Sequence, residues 1–383
     1  MLEDLIDPQY WQSVPFHYWS AVFFIFGSMW GSFLNVCIYR MPLGMSVVHP
    51  GSHCPACEYK IPWQLNIPLV TWLQLGGKCA NCGARFSARY FLVELLTGFA
   101  FLSAWLAFGH LSPFLAMANC VVLAGFICAT LIDFEHFIIP DEITLGGVAA
   151  GFIMSALIPS LHNATGAIEA MGRSLLGIAV GGGVVYAILR MGKLMFGKKR
   201  VNLAPDSKLT FTDVSLFLPE EEVPYDELFY RKSDFIGFHA KRLELADRCY
   251  FDAPVRLTQN ALVIGDETLD PEPIKFMEVV TDEIILPREA MGLGDVKFMA
   301  AIGAFMGWQA TLFTLMFSSL IGSFVGVGLI AIGKRSWSAR IPYGPYIALA
   351  AVIWMFLDPE LQAFWRDMLG GYAGAFGGET LTD

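Results

Sequence analysis

Two groups of residues have types and spacings that could do chemistry. Cys54-Pro-Ala-Cys57 is followed, after 21 residues, by Cys79-Ala-Asn-Cys82. Four thiols in two tight knuckles can close a tetrahedral shell around Zn2+, and Gly83 after the second pair suits the turn of a knuckle. Redox-active or merely unpaired thiols are the alternative reading. A shell of four thiolates leaves no open position, so a zinc held there supports structure. The second group is a pair of acids in apolar surroundings: Asp133 in LIDFEHFIIPDEIT and Asp295 in GLGDVKFMAAIGAF, 162 positions apart. A charge at membrane depth is costly and ordinarily faces a cavity or a partner. Two close carboxylates in a low-dielectric site share a proton, one serving as general base on a water and the other as general acid. That is the chemistry of peptide hydrolysis without a covalent intermediate, although for Asp133 alone the solvation of a helix end is an equal explanation. Gly292 and Gly294 permit close approach to Asp295 and a bend before its helix.

Other residues carry weaker signals. Glu135, Asp141 and Glu142 lie beside Asp133 and could hold a basic substrate in a negative field, while Asp141 and Glu142 after Pro140 also read as the start of a helix. Glu94 in ELLTG reads as a polar helix contact or as a chemical group. The run GIAVGGG at 177–183 lies in an apolar stretch with no strand before it, so close helix packing explains it better than a phosphate loop. Cys37, Cys120 and Cys128 read as small core residues, and Cys249 stands alone. Asn163-Ala-Thr165 is a short glycosylation sequon.

The elements that must position these residues are membrane helices. The chain has 383 residues, 55% hydrophobic and only 16% charged, against about 25% charged in a soluble domain, which excludes an ordinary soluble enzyme. A net charge of -10 excludes nucleic-acid binding over a broad basic surface. Apolar windows at 17–38, 90–109, 113–134, 142–160, 171–190, 297–308, 310–333 and 342–357 predict about eight transmembrane helices, the one at 297–308 short enough for a half-span. The first follows a start without Lys or Arg, so it does not read as a cleavable signal. Of 25 basic residues, 23 fall in loops 39–89, 190–297 and 334–340, which places those loops in the cytoplasm together with the loop 134–141. Both aspartates then sit at the cytoplasmic ends of their helices. The KKR run at 198–200 reads as a topology anchor.

The expected fold class is an all-α polytopic membrane protein with a cytoplasmic zinc-knuckle loop and an inserted, β-rich cytoplasmic domain. Its parts are a tail and first span (1–38), the zinc loop (39–89), spans two to five (90–191), the insertion (192–286), the GLGD motif with the last spans (287–357) and a tail (358–383). VRLTQNALVI at 255–264 and IKFMEVV at 274–280, between prolines, supply the β-rich signal in the insertion. A transporter whose paired acids carry protons is the contrasting function, but the two halves show no internal repeat.

The motifs GSFLNVCIYRMP (31–42), CPAC, NIPLVTWLQLGGKCANCGARFSARY (66–90), VELLTG, LIDFEHFIIPDEITL (131–145), AMGLGDVKFMAAIGAFMGW and IPYGPYIALA resemble the type IV prepilin peptidases, GxGD membrane aspartyl proteases. The resemblance covers most of the chain. It implies cleavage of a short basic leader from type IV pilins or secretion pseudopilins after a glycine, at the cytoplasmic face of a bacterial inner membrane. N-methylation of the new amino terminus with S-adenosylmethionine would follow. Asp133 and Asp295 match the family's catalytic pair, with Gly292, Gly294 and Lys297 in the supporting motif, and Cys54, Cys57, Cys79 and Cys82 match its tetracysteine zinc site. No methyl-donor motif is readable. Thr71, Phe86 and Phe91 are mild departures, where serine, isoleucine and proline are usual. The long insertion is a larger one, since that connection is ordinarily short; it reads as a docking or gating module for pilus or secretion machinery, or as a passive insertion.

Overall fold

A computed structural model describes residues 15–196, 198–219, 222–225, 228–229, 234–287, 292–332, 342–357 and 359–374. The basic loop residues Lys334, Arg335 and Arg340 lie outside these. The chain forms two compact units, Met1–Tyr186 with Leu293–Asp383, and Ala187–Gly292.

The first unit is helical: α1 (Phe16–Arg40), α2 (Val70–Leu75), α3 (Ala88–Phe108), α4 (Pro113–His136), α5 (Asp141–Leu157), α6 (Ala167–Phe196, whose end enters the second unit), α7 (Leu293–Ala331), α8 (Gly344–Phe356) and α9 (Pro359–Gly374). Caps written in the sequence set the starts. Ser87 accepts the Arg89 N–H to open α3, and Ser112 accepts the Leu115 N–H ahead of Pro113 to open α4.

Glycines let the helices approach. A Cβ on Gly31 would stand 2.7 Å from the Glu94 Cα, which joins α1 to α3. On Gly177 it would fall 2.0 Å from the Gly303 carbonyl oxygen, and on Gly181 2.4 Å from that of Met299. Gly177 and Gly181 within the run at 177–183 are therefore where α6 meets α7.

Five helices among the described residues are long and apolar enough to cross a membrane, or six if a bent pair at Gly344–Phe356 and Pro359–Trp365 is one span. The expected count of eight is not confirmed by this test of length and composition. The window at 142–160 yields a helix of 17 residues, at the lower end of the roughly 17 to 25 that a bilayer takes, and the window at 342–357 yields one of 13. The windows at 297–308 and 310–333 run together in α7, interrupted only by Gly307 at φ 82°, ψ 173°, a conformation open essentially to glycine. Hydropathy counts apolar residues without registering where a helix stops.

The second unit is an eight-stranded antiparallel sheet: β1 (Lys198–Thr212), β2 (Ser215–Phe217), β3 (Glu222–Pro224), β4 (Ile236–Glu244), β5 (Cys249–Leu257), β6 (Leu262–Ile264), β7 (Glu267–Leu269) and β8 (Phe276–Pro287), in the order β3-β2-β1-β8-β4-β5-β6-β7. The stretch at 255–264 becomes the β5–β6 turn, and that at 274–280 opens β8. Alternation along β8 buries Met277, Val279, Thr281, Ile284 and Leu286, and these join Leu209, Phe211 and Leu243 in the core. First and last strands are neighbours, Lys198 opposite Pro287, so the unit leaves the chain beside the place where it entered.

Candidate active site

Asp133 lies in the last turn of α4, 5% exposed. The helix stops at Phe137 in the left-handed region (φ 56°), whose N–H returns to the Asp133 carbonyl. Ile139 is buried and Pro140 opens α5, so 137–140 forms a tight corner. The Asp133 side chain is held from across the unit: its Oδ2 accepts the N–H of Gly344 at 2.8 Å. Gly344 starts α8; Pro345 carries no N–H and the Tyr346 and Ile347 amides return to the Tyr343 carbonyl, so the Gly344 amide is the donor that this helix start gives the carboxylate. A Cβ at Gly344 would stand 2.8 Å from that oxygen and 3.1 Å from Ile139 Cδ1, so only glycine fits. Tyr343 anchors this turn, its hydroxyl 3.0 Å from Ser318 Oγ and 2.9 Å from Ser319 Oγ on α7.

Asp295 lies in the first turn of α7, half-buried. Gly294 packs on the same corner, since its Cβ would lie 3.5 to 3.6 Å from Ile139 atoms. Phe298, one turn on, packs edge-on against Phe126 of α4 at 5.6 Å between ring centres. Ile139 is thus the shared neighbour of Gly344, which holds Asp133, and of Gly294, which precedes Asp295. Lys297 reaches Asp141 Oδ1 at 2.6 Å and ties α7 to α5. Glu135 forms an ion pair with Arg89 of α3. Two of the three acids beside Asp133 are therefore already paired within the chain, whereas Glu142 is exposed and unpaired among the described residues. Gly292 is exposed and ends the second unit.

Sequence reasoning did not assign Gly344, Tyr343 or Ile139. The signal available was a Gly-Pro pair opening an apolar stretch in YGPY, which marks a helix start but not its target.

The four cysteines converge. Their Sγ atoms all lie within 4.8 Å of one another, with Cys54 to Cys82 at 3.9 Å and Cys57 to Cys79 at 4.0 Å. Tetrahedral zinc with bonds of ~2.3 Å sets its sulfurs about 3.8 Å apart, so the donor set fits the metal. The two knuckles share one backbone plan. His53 pairs with Lys60 and Lys78 with Arg85, while the N–H groups of Glu58 and Gly83 return to the carbonyls of Cys54 and Cys79 at 2.8 and 3.0 Å. Both turns need positive φ, 56° at Glu58 and 73° at Gly83. Amides of Cys82 and Asn81 pull the Cys79 thiol down to about 7, and the Tyr59 amide with the Asn81 side chain lowers that of Cys57. The neighbouring thiols push Cys82 the other way, up to about 11, so the donors aimed at Cys79 and Cys57 favour the thiolate at those two sulfurs.

A model of the bacterial peptidase A24 N-terminal domain matches residues 25–108, and a model of the type IV leader peptidase family matches 120–199 and 274–327. A protein of Dichelobacter nodosus named prepilin leader peptidase/N-methyltransferase is 35% identical over 208 residues, 47% of this chain and 69% of that relative. The chain belongs to the type IV leader peptidase family. Proteins of the same name from Aeromonas hydrophila and Myxococcus xanthus are 27% and 28% identical; the alignments cover 89% and 91% of this chain, and 92% and 76% of those relatives. No solved structure matches it. Family membership identifies a membrane peptidase and leaves the transporter reading without support.

Proposed function

We propose that this protein removes the short basic leader of type IV prepilins or pseudopilins after a glycine and then N-methylates the exposed amino terminus. One observation carries the reading: the leader-peptidase model matches two separated segments, the first holding Asp133 and the second Asp295. In hydrolysis, Asp133 is the base. With Oδ2 engaged by Gly344, its other oxygen is left to take a proton from a water as that water attacks the scissile carbonyl. Asp295 carries the proton the pair shares and gives it to the carbonyl oxygen, forming a gem-diol; as the C–N bond breaks, the proton taken by Asp133 passes to the leaving nitrogen and one diol hydroxyl returns its proton to Asp295. Gly292 and Gly294 leave room for the substrate backbone beside Asp295, while Lys297 and Asp141 fix the approach of α7 to α5. Glu135, Asp141 and Glu142 form the substrate-side rim, in which Glu142 is the carboxylate left to meet a basic leader.

Cys54, Cys57, Cys79 and Cys82 would hold one structural zinc per chain, which elemental analysis of purified protein counts. S-adenosylmethionine would supply the methyl group. The distribution of Lys and Arg supports a multi-pass inner-membrane protein with the active site at the cytoplasmic face, where the pilin's apolar helix stays in lipid as its leader reaches the aspartates. The sheet unit, with exposed charge and its ends side by side, suits docking to pilus or secretion machinery. The deciding assay is prepilin cleavage: Asp133→Asn and Asp295→Asn each lower the rate on the order of 10^3-fold. Cleavage by either variant at the wild-type rate would reject the catalytic pair.

A further inference from the structure

Gly307 divides α7 into two rods, and the first, 293–306, carries Asp295 at its start. At φ 82° and ψ 173° Gly307 ends the helical run, so the last carbonyls of that rod lose the amides one turn on, as at any helix C-terminus. One of these carbonyls is met from outside α7. The Ala304 oxygen accepts the Ser174 hydroxyl of α6, with Oγ at 2.9 Å, and the ring N–H of His162, with Nε2 at 3.0 Å, from residues 130 and 142 positions away. A carbonyl only accepts, so His162 carries a proton on Nε2. Ser174 is fully buried and His162 is 6% exposed. His162 ends the turn Pro159–His162 that follows α5, and Arg173 braces that turn from α6. Its guanidinium donates to the carbonyls of His162 and Asn163 at 2.8 and 3.1 Å and pairs with Glu169 at 2.6 Å.

Along its length the rod packs on glycines. α5 meets it at Gly147 and Gly151, where a Cβ would come 3.1 and 2.7 Å from the Cβ atoms of Ala301 and Ala304, and α6 meets it at Gly177 and Gly181. Glycine faces let helices lie close, but they fix the distance between axes better than the position along them. Hydrogen bonds fix that position, because they weaken steeply with displacement. At the Asp295 end the polar anchor is the solvent-exposed Lys297–Asp141 pair, and exposed ion pairs hold weakly. At the far end it is the buried Ala304 carbonyl, about 14 Å from Asp295 along the axis at ~1.5 Å per residue. Resting on the reading of Asp295 as one of the catalytic pair, we propose that His162 and Ser174 are positioning residues for peptide cleavage. By holding the Ala304 carbonyl they set how far the rod extends toward the corner at Ile139, and so where Asp295 stands. A rod without these bonds slides or turns, and a misplacement of about 1 Å at reacting groups costs up to the order of 10^2-fold in rate.

The test is steady-state prepilin cleavage by the full chain in detergent. Ser174→Ala lowers kcat about threefold, His162→Leu about tenfold, and the double variant more than either. KM stays within about twofold, because neither residue touches substrate. His162→Gln, whose amide N–H takes the place of the ring N–H, keeps kcat within about twofold of wild type. A packing role would leave Gln no better than Leu. Thermal unfolding identifies the folded variants, and Ser174→Ala, which keeps the His162 bond, decides alone if His162→Leu does not fold. Wild-type kcat in the folded variants, a change confined to KM, or a His162→Gln protein as slow as His162→Leu overturns the proposal while Asp295→Asn remains inactive. Cleavage by Asp295→Asn at the wild-type rate overturns the catalytic pair itself, and this inference with it.

Discussion

The two units use opposite packing rules. In the sheet, side-chain volume fills the core: Leu243, Met277 and Ile284 are at most 2% exposed, and most charges stay outside, with Asp234 a buried exception. In the helical unit the decisive contacts are made by missing side chains, with Gly177 against Gly303 and Gly344 against Asp133, and polar groups such as Asp133, Glu94 and Asn35 are buried. A sheet beside water can reject its charges to the surface. Helices in lipid gain little from apolar contact with one another, so they associate where backbones come close and keep inside the few polar groups that chemistry needs.

That contrast is open to measurement, beginning with volume removed. Leu243→Ala leaves a cavity in the sheet core and destabilises that unit by about 2 to 5 kcal/mol. Hydrogen exchange over 198–287 rises while prepilin cleavage keeps its rate, and equal loss of protection in α4 and α7 would show that the units unfold together. Volume added comes next. Gly177→Ala puts a methyl where the Gly303 carbonyl stands and costs about 1 to 3 kcal/mol, seen as a lower midpoint of thermal unfolding for the helical unit. An unchanged midpoint would mean that the helices part freely.

The smallest effect belongs to surface charge. Lys241 pairs with Asp206 and Asp282, both at 2.8 Å, on the bulge of β1. Its side chain lowers the pKa of Asp282, and hydrogen bonds to the two carboxylates raise that of Lys241. The carboxylate contribution is present above its unfolded value near ~3.9 and is lost as pH falls through the lower folded one. The ammonium contribution is present below about 10.4 and is lost as pH rises through the higher folded value. Lys241→Met therefore reduces the loss of sheet stability on acidification below about pH 4, in urea titrations that otherwise move little. Identical acid profiles for both proteins would remove the triad from the stability of this unit.

Legibility in the sequence followed local rules. The cysteine pairs were readable because a knuckle needs only two ligands three positions apart and a turn, and both are local. The aspartates were readable because a carboxylate within an apolar run is rare and the glycines before Asp295 are adjacent to it. The pairing of Glu135 with Arg89 and of Asp141 with Lys297 was not readable, since each joins separate helices. Charge alone presented these acids as free for a substrate, and three-dimensional proximity gives two of them internal partners. Helix ends were less legible: the break at Gly307 and the 17-residue length of α5 are not encoded in apolar composition.

By itself the amino-acid order determined a polytopic helical protein, a four-thiol knuckle loop, a strand-rich insertion and two acids at helix ends. Each follows from composition or from spacing within one element. Only the tertiary structure decided that the first and last strands of the insertion are neighbours, that Gly344 rather than a side chain holds Asp133, and that residues of α1, the zinc loop and α3 line one cavity. These are contacts between residues up to 211 positions apart, and they exist because helices and strands pack where shape and polar partners match, a condition written in no single stretch of chain.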